Sequence, residues 1–295
     1  MKIIYKPCRK KDLIPATRLI RTAFNHLRIK TGKEPARFWI RRSPEFEHLY
    51  HQDKKTFWCA WAGKKMVGFS AALNRGRQWY LAHLFVDPSF QDQGIGNELL
   101  RRVWREGPDI SHSLSTFAYN MQAVGLYSKC GMAPLCALPI MELELKKLNR
   151  PNPTGLETVT KLTKSDLSWI IKLDAKIRGY AHPQEWYFWS KFEGVRIHLF
   201  KDKGKRIGYS MFYDWGMIAP AGAISNSLLI RVVAETIRLA RTREKEIKIC
   251  CPSDNPRLYR FLIAMGFRLI EMDLLMGDRS YADFQKYVPA RLSML

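Results

Sequence analysis

Leu84-Phe85-Val86-Asp87-Pro88-Ser89-Phe90-Gln91-Asp92-Gln93-Gly94-Ile95-Gly96-Asn97-Glu98-Leu99-Leu100 is the stretch on which the fold is read. An apolar run ends at Val86, a turn follows, then two glycines separated by one residue, then an apolar helical pattern. The order is strand, turn, helix. Gly94 and Gly96 let the backbone curl so that successive N–H groups from Gln91 to Gly96 point into one concavity. N–H groups at a helix start have no intrahelical acceptor, so the two features together make an anion site suited to a pyrophosphate. A plain glycine-rich turn is the alternative reading. No Gly-Lys-Ser/Thr follows, which excludes a Walker loop, and no third glycine sits three residues on, which excludes the dinucleotide fingerprint.

Working outward, residues 2–8 read as a short strand, and Asp12 is placed to cap a helix over 13–29. A basic stretch follows, with a second helix around 44–51. Strands are expected at 56–62, 65–73 and 80–86, a helix over 94–106, a strand over 113–118, a helix over 121–129 and a last strand over 135–146. The class is α/β, a mixed sheet that is mostly antiparallel at first and βαβ-like afterwards.

The linker candidate is Asn149-Arg150-Pro151-Asn152-Pro153-Thr154-Gly155. Three blocks recur in order on its two sides. Lys11-Asp12-Leu13 matches Ser165-Asp166-Leu167, and Lys65-Met66-Val67-Gly68-Phe69-Ser70 matches Lys205-Arg206-Ile207-Gly208-Tyr209-Ser210. Asn120 stands eleven residues before Gly131, as Asn255 does before Gly266. The reading is a duplicated domain, 1–148 and 156–295, joined by 149–155.

Gln91-Asp92-Gln93-Gly94-Ile95-Gly96 matches the Q/R-x-x-G-x-G/A motif of the GNAT superfamily of N-acetyltransferases. Asn120-Met121-Gln122-Ala123-Val124-Gly125-Leu126-Tyr127-Ser128-Lys129-Cys130-Gly131-Met132 resembles that family's second motif, N-x-x-A-x-x-L-Y-x-x-x-G-F. The resemblance covers 1–146 well and 156–275 faintly, through the repeat. It implies two tandem GNAT-like domains, each a twisted sheet flanked by helices with a splay of two strands for acyl-CoA. It implies that backbone groups of Phe85 and Val86 hold the pantetheine arm, that N–H groups of Gln91, Asp92, Gln93, Gly94, Ile95 and Gly96 bind the CoA pyrophosphate, and that Asn120 fixes the pantetheine or the splay. Tyr127 is the position of the general acid that protonates the leaving thiolate; packing of an aromatic helix face is the other reading. Acetyl-CoA is the expected co-substrate, and no metal is expected.

The chain departs from the family at the base. The strand before the glycine loop, Trp79-Tyr80-Leu81-Ala82-His83-Leu84, has no carboxylate, and His83 stands about where the acid would. An imidazole can take a proton near neutral pH; a strand histidine can equally be a packed core residue. The second copy departs further. Its loop reads Ile218-Ala219-Pro220-Ala221-Gly222-Ala223-Ile224-Ser225-Asn226-Ser227 without the G-x-G spacing, and Leu262 takes the Tyr127 position, so this copy reads as degenerate. The aromatic cluster Tyr180 to Trp189 reads as core first, as a cover for the acceptor cleft second.

Charge and cysteines complete the picture. The net charge is +22, and residues 1–55 hold 15 basic against 5 acidic side chains. Such a field attracts anions. The amine acceptor is therefore expected to be anionic or to sit on an anionic scaffold, nucleic acid included. Six cysteines contain no C-x-x-C pair, and no apolar run approaches a membrane span, so a cytoplasmic protein without a membrane partner is expected. The leading reading is an acyl-CoA-dependent N-acyltransferase working by direct attack in a ternary complex. The rivals are a non-catalytic acyl-CoA sensor and a nucleic-acid-associated protein on a GNAT scaffold.

Overall fold

Alternating and β-branched or aromatic runs build the strands of the first half of the chain. The computed structural model describes residues 2–36, 40 and 43–290. Arg37, Arg41 and Arg42 of the basic stretch lie outside the described residues. The order is β1 (Ile3–Pro7), α1 (Leu13–Lys30), α2 (Pro44–Asp53), β2 (Phe57–Ala62), β3 (Lys65–Arg75), β4 (Gln78–Val86), α3 (Ile95–Val103), β5 (Ser111–Phe117) and α4 (Met121–Lys129). β1 to β4 pair antiparallel in sequence order, and β4 pairs β5 in parallel.

α3 buries Ile95, Leu99, Leu100 and Val103, and Ile95 and Leu99 pack against Ala60, Ala62 and Val67. Gly68 makes this close approach possible, because a Cβ there would lie 2.7 Å from Leu99 Cδ1 and 2.9 Å from Ile95 Cγ2. Gly208 holds the matching place in the second copy, where a Cβ would meet Val232 at 2.8 Å. α3 stops three residues before the expected end. Trp104 leaves the helix in an extended conformation and its ring stacks on His112 at 4.1 Å.

Asp12 differs from expectation. It precedes α1 but makes no side-chain cap; its carboxylate instead accepts from the Arg9 backbone N–H at 2.9 Å and from Arg9 Nε at 3.2 Å.

The second set of elements is β6 (Ala133–Glu144), β7 (Glu157–Val159), α5 (Lys164–Arg178), α6 (Pro183–Trp189), β8 (Val195–Asp202), β9 (Lys205–Tyr213), β10 (Met217–Ala223), α7 (Asn226–Leu239), β11 (Glu246–Cys250), α8 (Pro256–Ala264), β12 (Arg268–Gly277) and β13 (Tyr287–Val288). Its strands run β12-β6-β11-β10-β9-β8-β7, with β13 on β10. The core gathers Phe200, Phe212, Ile218, Val232, Ile249 and Leu262 with their neighbours. Trp186 and Trp189 are buried, and Trp186 packs edge-on against Tyr209 at 5.1 Å.

The chain divides into two compact units, Met1–Ser115 with Tyr119–Met132, and Thr116–Ala118 with Ala133–Leu295. The expected domain cut at 148–149 therefore differs from the compact boundary at 132–133. The reason is β6, which closes the first sequence repeat yet lies between β11 and β12. It pairs Met141 with Ile249 on one side and with Leu269 on the other. The expected linker is part of the second unit. Arg150 Nη1 donates to the Arg238 carbonyl at 2.5 Å, and Thr154 Oγ1 donates to Glu235 at 3.0 Å.

Candidate active site

Side-chain rungs fix the parallel pair of β4 and β5. Gln78 Nε2 donates to Ser113 Oγ at 2.7 Å and Tyr80 hydroxyl to Ser115 Oγ at 3.1 Å. Pairing runs from Gln78 opposite Ser111 to Leu81 opposite Leu114 and then stops, although both strands continue. The cause sits in β4. Ala71 of β3 faces His83 and Ala72 faces Leu81, so Ala82 is an extra residue on β4. A bulge of this kind bends and twists its strand. The edge of β4 from His83 to Val86 is thereby released on the β5 side, beside the expected contact residues Phe85 and Val86.

The glycine loop follows. Asp87 is buried; burial pushes its carboxyl up, but Lys65 at 2.8 Å and the Ser89 N–H outweigh this and hold it below the usual range. Asp92 and Gly94 both adopt positive φ, 61° and 77°. Among the described residues no side chain caps α3, and its first intrahelical bond runs from the Glu98 N–H to the Gly94 carbonyl at 3.1 Å. Among the described residues the N–H groups of Gln91, Asp92, Gln93, Gly94, Ile95 and Gly96 have no protein acceptor. Space above the loop is open: a Cβ on Gly94 would meet nothing within 4 Å. A Cβ on Gly96 would lie 3.8 Å from Val86 and from Leu126, which places the loop beside the end of β4 and the face of α4. Donors, helix dipole and room fit a phosphate-bearing ligand.

One contact was not expected. Gln122 Nε2 donates to Asp92 Oδ1 at 2.9 Å and ties the loop to the first turn of α4. The Asp92 carboxylate is thus turned toward α4, leaving its backbone N–H as the group available to a ligand. Asn120 caps α4 by accepting from the Ala123 N–H at 3.3 Å; its side-chain amide has no acceptor among the described residues.

Tyr127 is buried on α4, and its hydroxyl makes no hydrogen bond among the described residues. Burial, with Cys130 adding a smaller push, raises its pKa well above the ordinary value. Cys130 is half-buried and its thiol is also pushed up, so it is held as the unreactive thiol. His83 is half-buried among Phe46 at 5.3 Å, Phe69 at 6.0 Å and Phe85 at 6.1 Å. Desolvation lowers its pKa to about 4, which keeps the ring neutral and only weakly basic. Phe46 belongs to α2, so this helix covers His83. A cavity of about 180 Å³ opens between the starts of α1 and α2, lined by Lys10, Lys11, Thr17, Ser43, Phe46 and Glu47. Lys33, on the basic connection after α1, sits 4.3 Å from the Tyr119 ring, next to Asn120.

The second copy builds a different junction. β10 passes to α7 through Ile224 and Ser225, and the Ser225 hydroxyl caps the helix by accepting from Leu228 N–H at 3.4 Å. Leu262 is buried in the core. Among the described residues no cluster of three metal-ligating side chains occurs, and no helix is long and apolar enough to cross a membrane.

Residues 19–132 match the model of the Acetyltransferase (GNAT) family. A search of curated proteins by sequence finds no match. Among solved structures, a Pyrococcus horikoshii protein assigned as an acetyltransferase is similar over 99% of this chain and 96% of its own, with TM-score 0.76 and 17% identity. A GCN5-related N-acetyltransferase from Sphaerobacter thermophilus is similar over 99% of this chain and 98% of its own, with TM-score 0.64 and 16% identity. A tandem GNAT protein from the clavulanic acid biosynthesis pathway is similar over 96% and 99% of the two chains, with TM-score 0.59 and 14% identity. At such identities the structures speak to fold. Residues 19–132 thus match the Acetyltransferase (GNAT) family model, and the chain as a whole has the tandem GNAT fold.

Proposed function

We propose that the first unit is an acyl-CoA-dependent N-acyltransferase that binds one acetyl-CoA per chain and acylates a primary amine in a ternary complex. The carrying observation is the pairing of a released β4 edge with an unpartnered N–H loop at the start of α3. Backbone groups of Phe85 and Val86 would hold the pantetheine arm, and the Gln91–Gly96 amides the pyrophosphate. When bound, acetyl-CoA supplies the activated thioester. Tyr127, kept protonated by burial, holds the proton for the departing sulfur. His83 is neutral at pH 7 and can accept the amine proton, directly or through water, although its low pKa makes it a weaker base than a free imidazole. Cys130, held as a thiol, supports direct attack over a covalent enzyme intermediate.

The acceptor enters, on this reading, past α1 and α2, where Lys11 and Lys33 favour an anionic amine or an amine on an anionic scaffold, Lys10 being paired with Glu47 at 3.0 Å. Calorimetric titration with acetyl-CoA tests the core of the proposal. One site per chain, lost in Gly96→Arg, is the expected result; absence of binding at physiological salt would overturn it. With an acceptor in hand, kcat/KM should fall steadily as salt rises, and salt-independent turnover of a small cationic amine would refute the acceptor class.

A further inference from the structure

The second copy repeats the strand gap of the first, but the gap is filled. Among the described residues β10 pairs with β11 only at Met217 opposite Lys248 and Ile218 opposite Ile249, then continues to Ala223. Its other edge is taken by β9. The edge that β11 vacates is occupied by β13, antiparallel, with Ala221 opposite Val288 and Gly222 opposite Tyr287. The Ala223 N–H donates to the Lys286 carbonyl at 3.1 Å. The corresponding edge of β4, His83 to Val86, carries no strand partner on that side among the described residues.

Recognition of the segment extends beyond the ladder. Asn255 is the repeat partner of Asn120 and caps α8 in the same way, accepting from the Leu258 N–H at 3.0 Å. Its amide, however, donates to the carbonyls of Phe284 at 3.1 Å and Gln285 at 3.2 Å. Asn226, at the start of α7, donates to the Gln285 carbonyl at 2.9 Å and to its Oε1 at 2.7 Å. The Gln285 side chain donates to the Asp254 carbonyl, and the Asp283 N–H to the Ile177 carbonyl at 2.9 Å. Phe284, Tyr287 and Val288 are buried, and Val288 belongs to the hydrophobic core. Backbone pairing with a pocket for alternate side chains is how sheet edges bind extended peptides.

We propose that the gap between β10 and β11 is a peptide-strand groove, occupied by the chain's own segment Asp283–Val288, and that it takes an extended polypeptide in place of an acyl-CoA. The comparison with the first copy rests on the function proposed above. The groove itself stands on the contacts just given.

Residues 278–280 are exposed, which allows the segment to be cut free after the protein has folded. A site-specific protease sequence is inserted between Arg279 and Ser280 of the full chain and cleaved. The fragment should stay with the protein through size exclusion. A labelled synthetic peptide spanning Ser280 to Ala290 should exchange into the complex at one per chain, and the same peptide with Val288→Asp should bind more than about a hundredfold more weakly, because it would bury an unpaired carboxylate. Loss of the fragment with hydrogen exchange of β9 and β10 unchanged would overturn the proposal, as would its displacement by acetyl-CoA. If the insertion prevents folding, the intact chain decides: the amide of Val288, which the register directs at the Ala221 carbonyl, should exchange as slowly as those of β9, and exchange as fast as a free chain end would refute the groove. Peptide retention does not depend on the first unit binding acetyl-CoA, so the two failures are distinguishable.

Discussion

Tyr127→Phe separates chemistry from packing. The ring is buried with 6% of its surface exposed, and its hydroxyl makes no hydrogen bond among the described residues. Phenylalanine keeps the ring volume and strips only the oxygen. No intramolecular hydrogen bond is lost, so stability should change by less than about 0.5 kcal/mol. A general acid contributes far more to rate. Its removal should lower kcat at least tenfold, about 1.4 kcal/mol of barrier, and up to the 10²–10⁴-fold range. KM for acetyl-CoA should hold, because binding is assigned to backbone groups. The raised pKa adds a second signature: the donor is the protonated hydroxyl, so no alkaline decline in kcat up to about pH 10 should come from this residue. Thiol release is followed at saturating acceptor, and unfolding is measured in parallel. A kcat within twofold of the parent would refute the acid role and favour the acyl-CoA sensor. A loss of rate that tracks a loss of stability would instead make Tyr127 a packing residue.

Other substitutions test the frame that holds the site. Gly68→Ala would place a methyl 2.7 Å from Leu99 Cδ1; urea unfolding should show a loss of about 1–3 kcal/mol, with weaker acetyl-CoA binding as the start of α3 shifts. Asp53→Ala would leave buried Arg75 without its 2.7 Å carboxylate partner and should cost about 3–5 kcal/mol, much of it recovered in Asp53→Leu/Arg75→Met. Acid should destabilise the fold through His83 and His198, both lowered to about 4, chiefly by desolvation. The unfolded chain then binds more protons between about pH 4 and 6.5, so this stability is complete above about pH 6.5 and is lost as the pH falls toward 4. A melting temperature flat across that window would contradict both assignments.

The elements around the glycine loop could be read from local signals. The apolar run into Val86, the Gly94 and Gly96 spacing and the apolar face of α3 each report on neighbours a few residues away. The Asn120–Gly131 spacing is local too, and the structure explains why it recurs: Asn120 and Asn255 cap helices, while Gly131 and Gly266 take φ of 84° and 87° behind them. What escaped the reading depends on distant partners. Met141-Glu142-Leu143-Glu144-Leu145 announces a strand without naming its neighbours, so the place of β6 between β11 and β12 was hidden. The bulge at Ala82 has no glycine or proline to mark it. Gln122 looks like any helix-surface amide until the loop brings Asp92 within 2.9 Å. Tyr287 and Val288 are too few to show a period, and their role as a strand comes entirely from the edge they meet.

The position of β6 also bears on how the protein is made. Its pairing residues emerge from the ribosome on the order of 100 residues ahead of those they meet in β11 and β12, a delay of roughly 5–30 s at ordinary elongation rates. Until then Cys136, Leu138, Met141 and Leu143, all buried in the finished fold, have no sheet to join. The nascent chain thus carries an unpaired apolar strand behind a first unit that is otherwise complete, a state open to chaperone capture or to pairing with another copy. A fragment cut after residue 148 would be left permanently in that state, whereas one cut after Met132 would not.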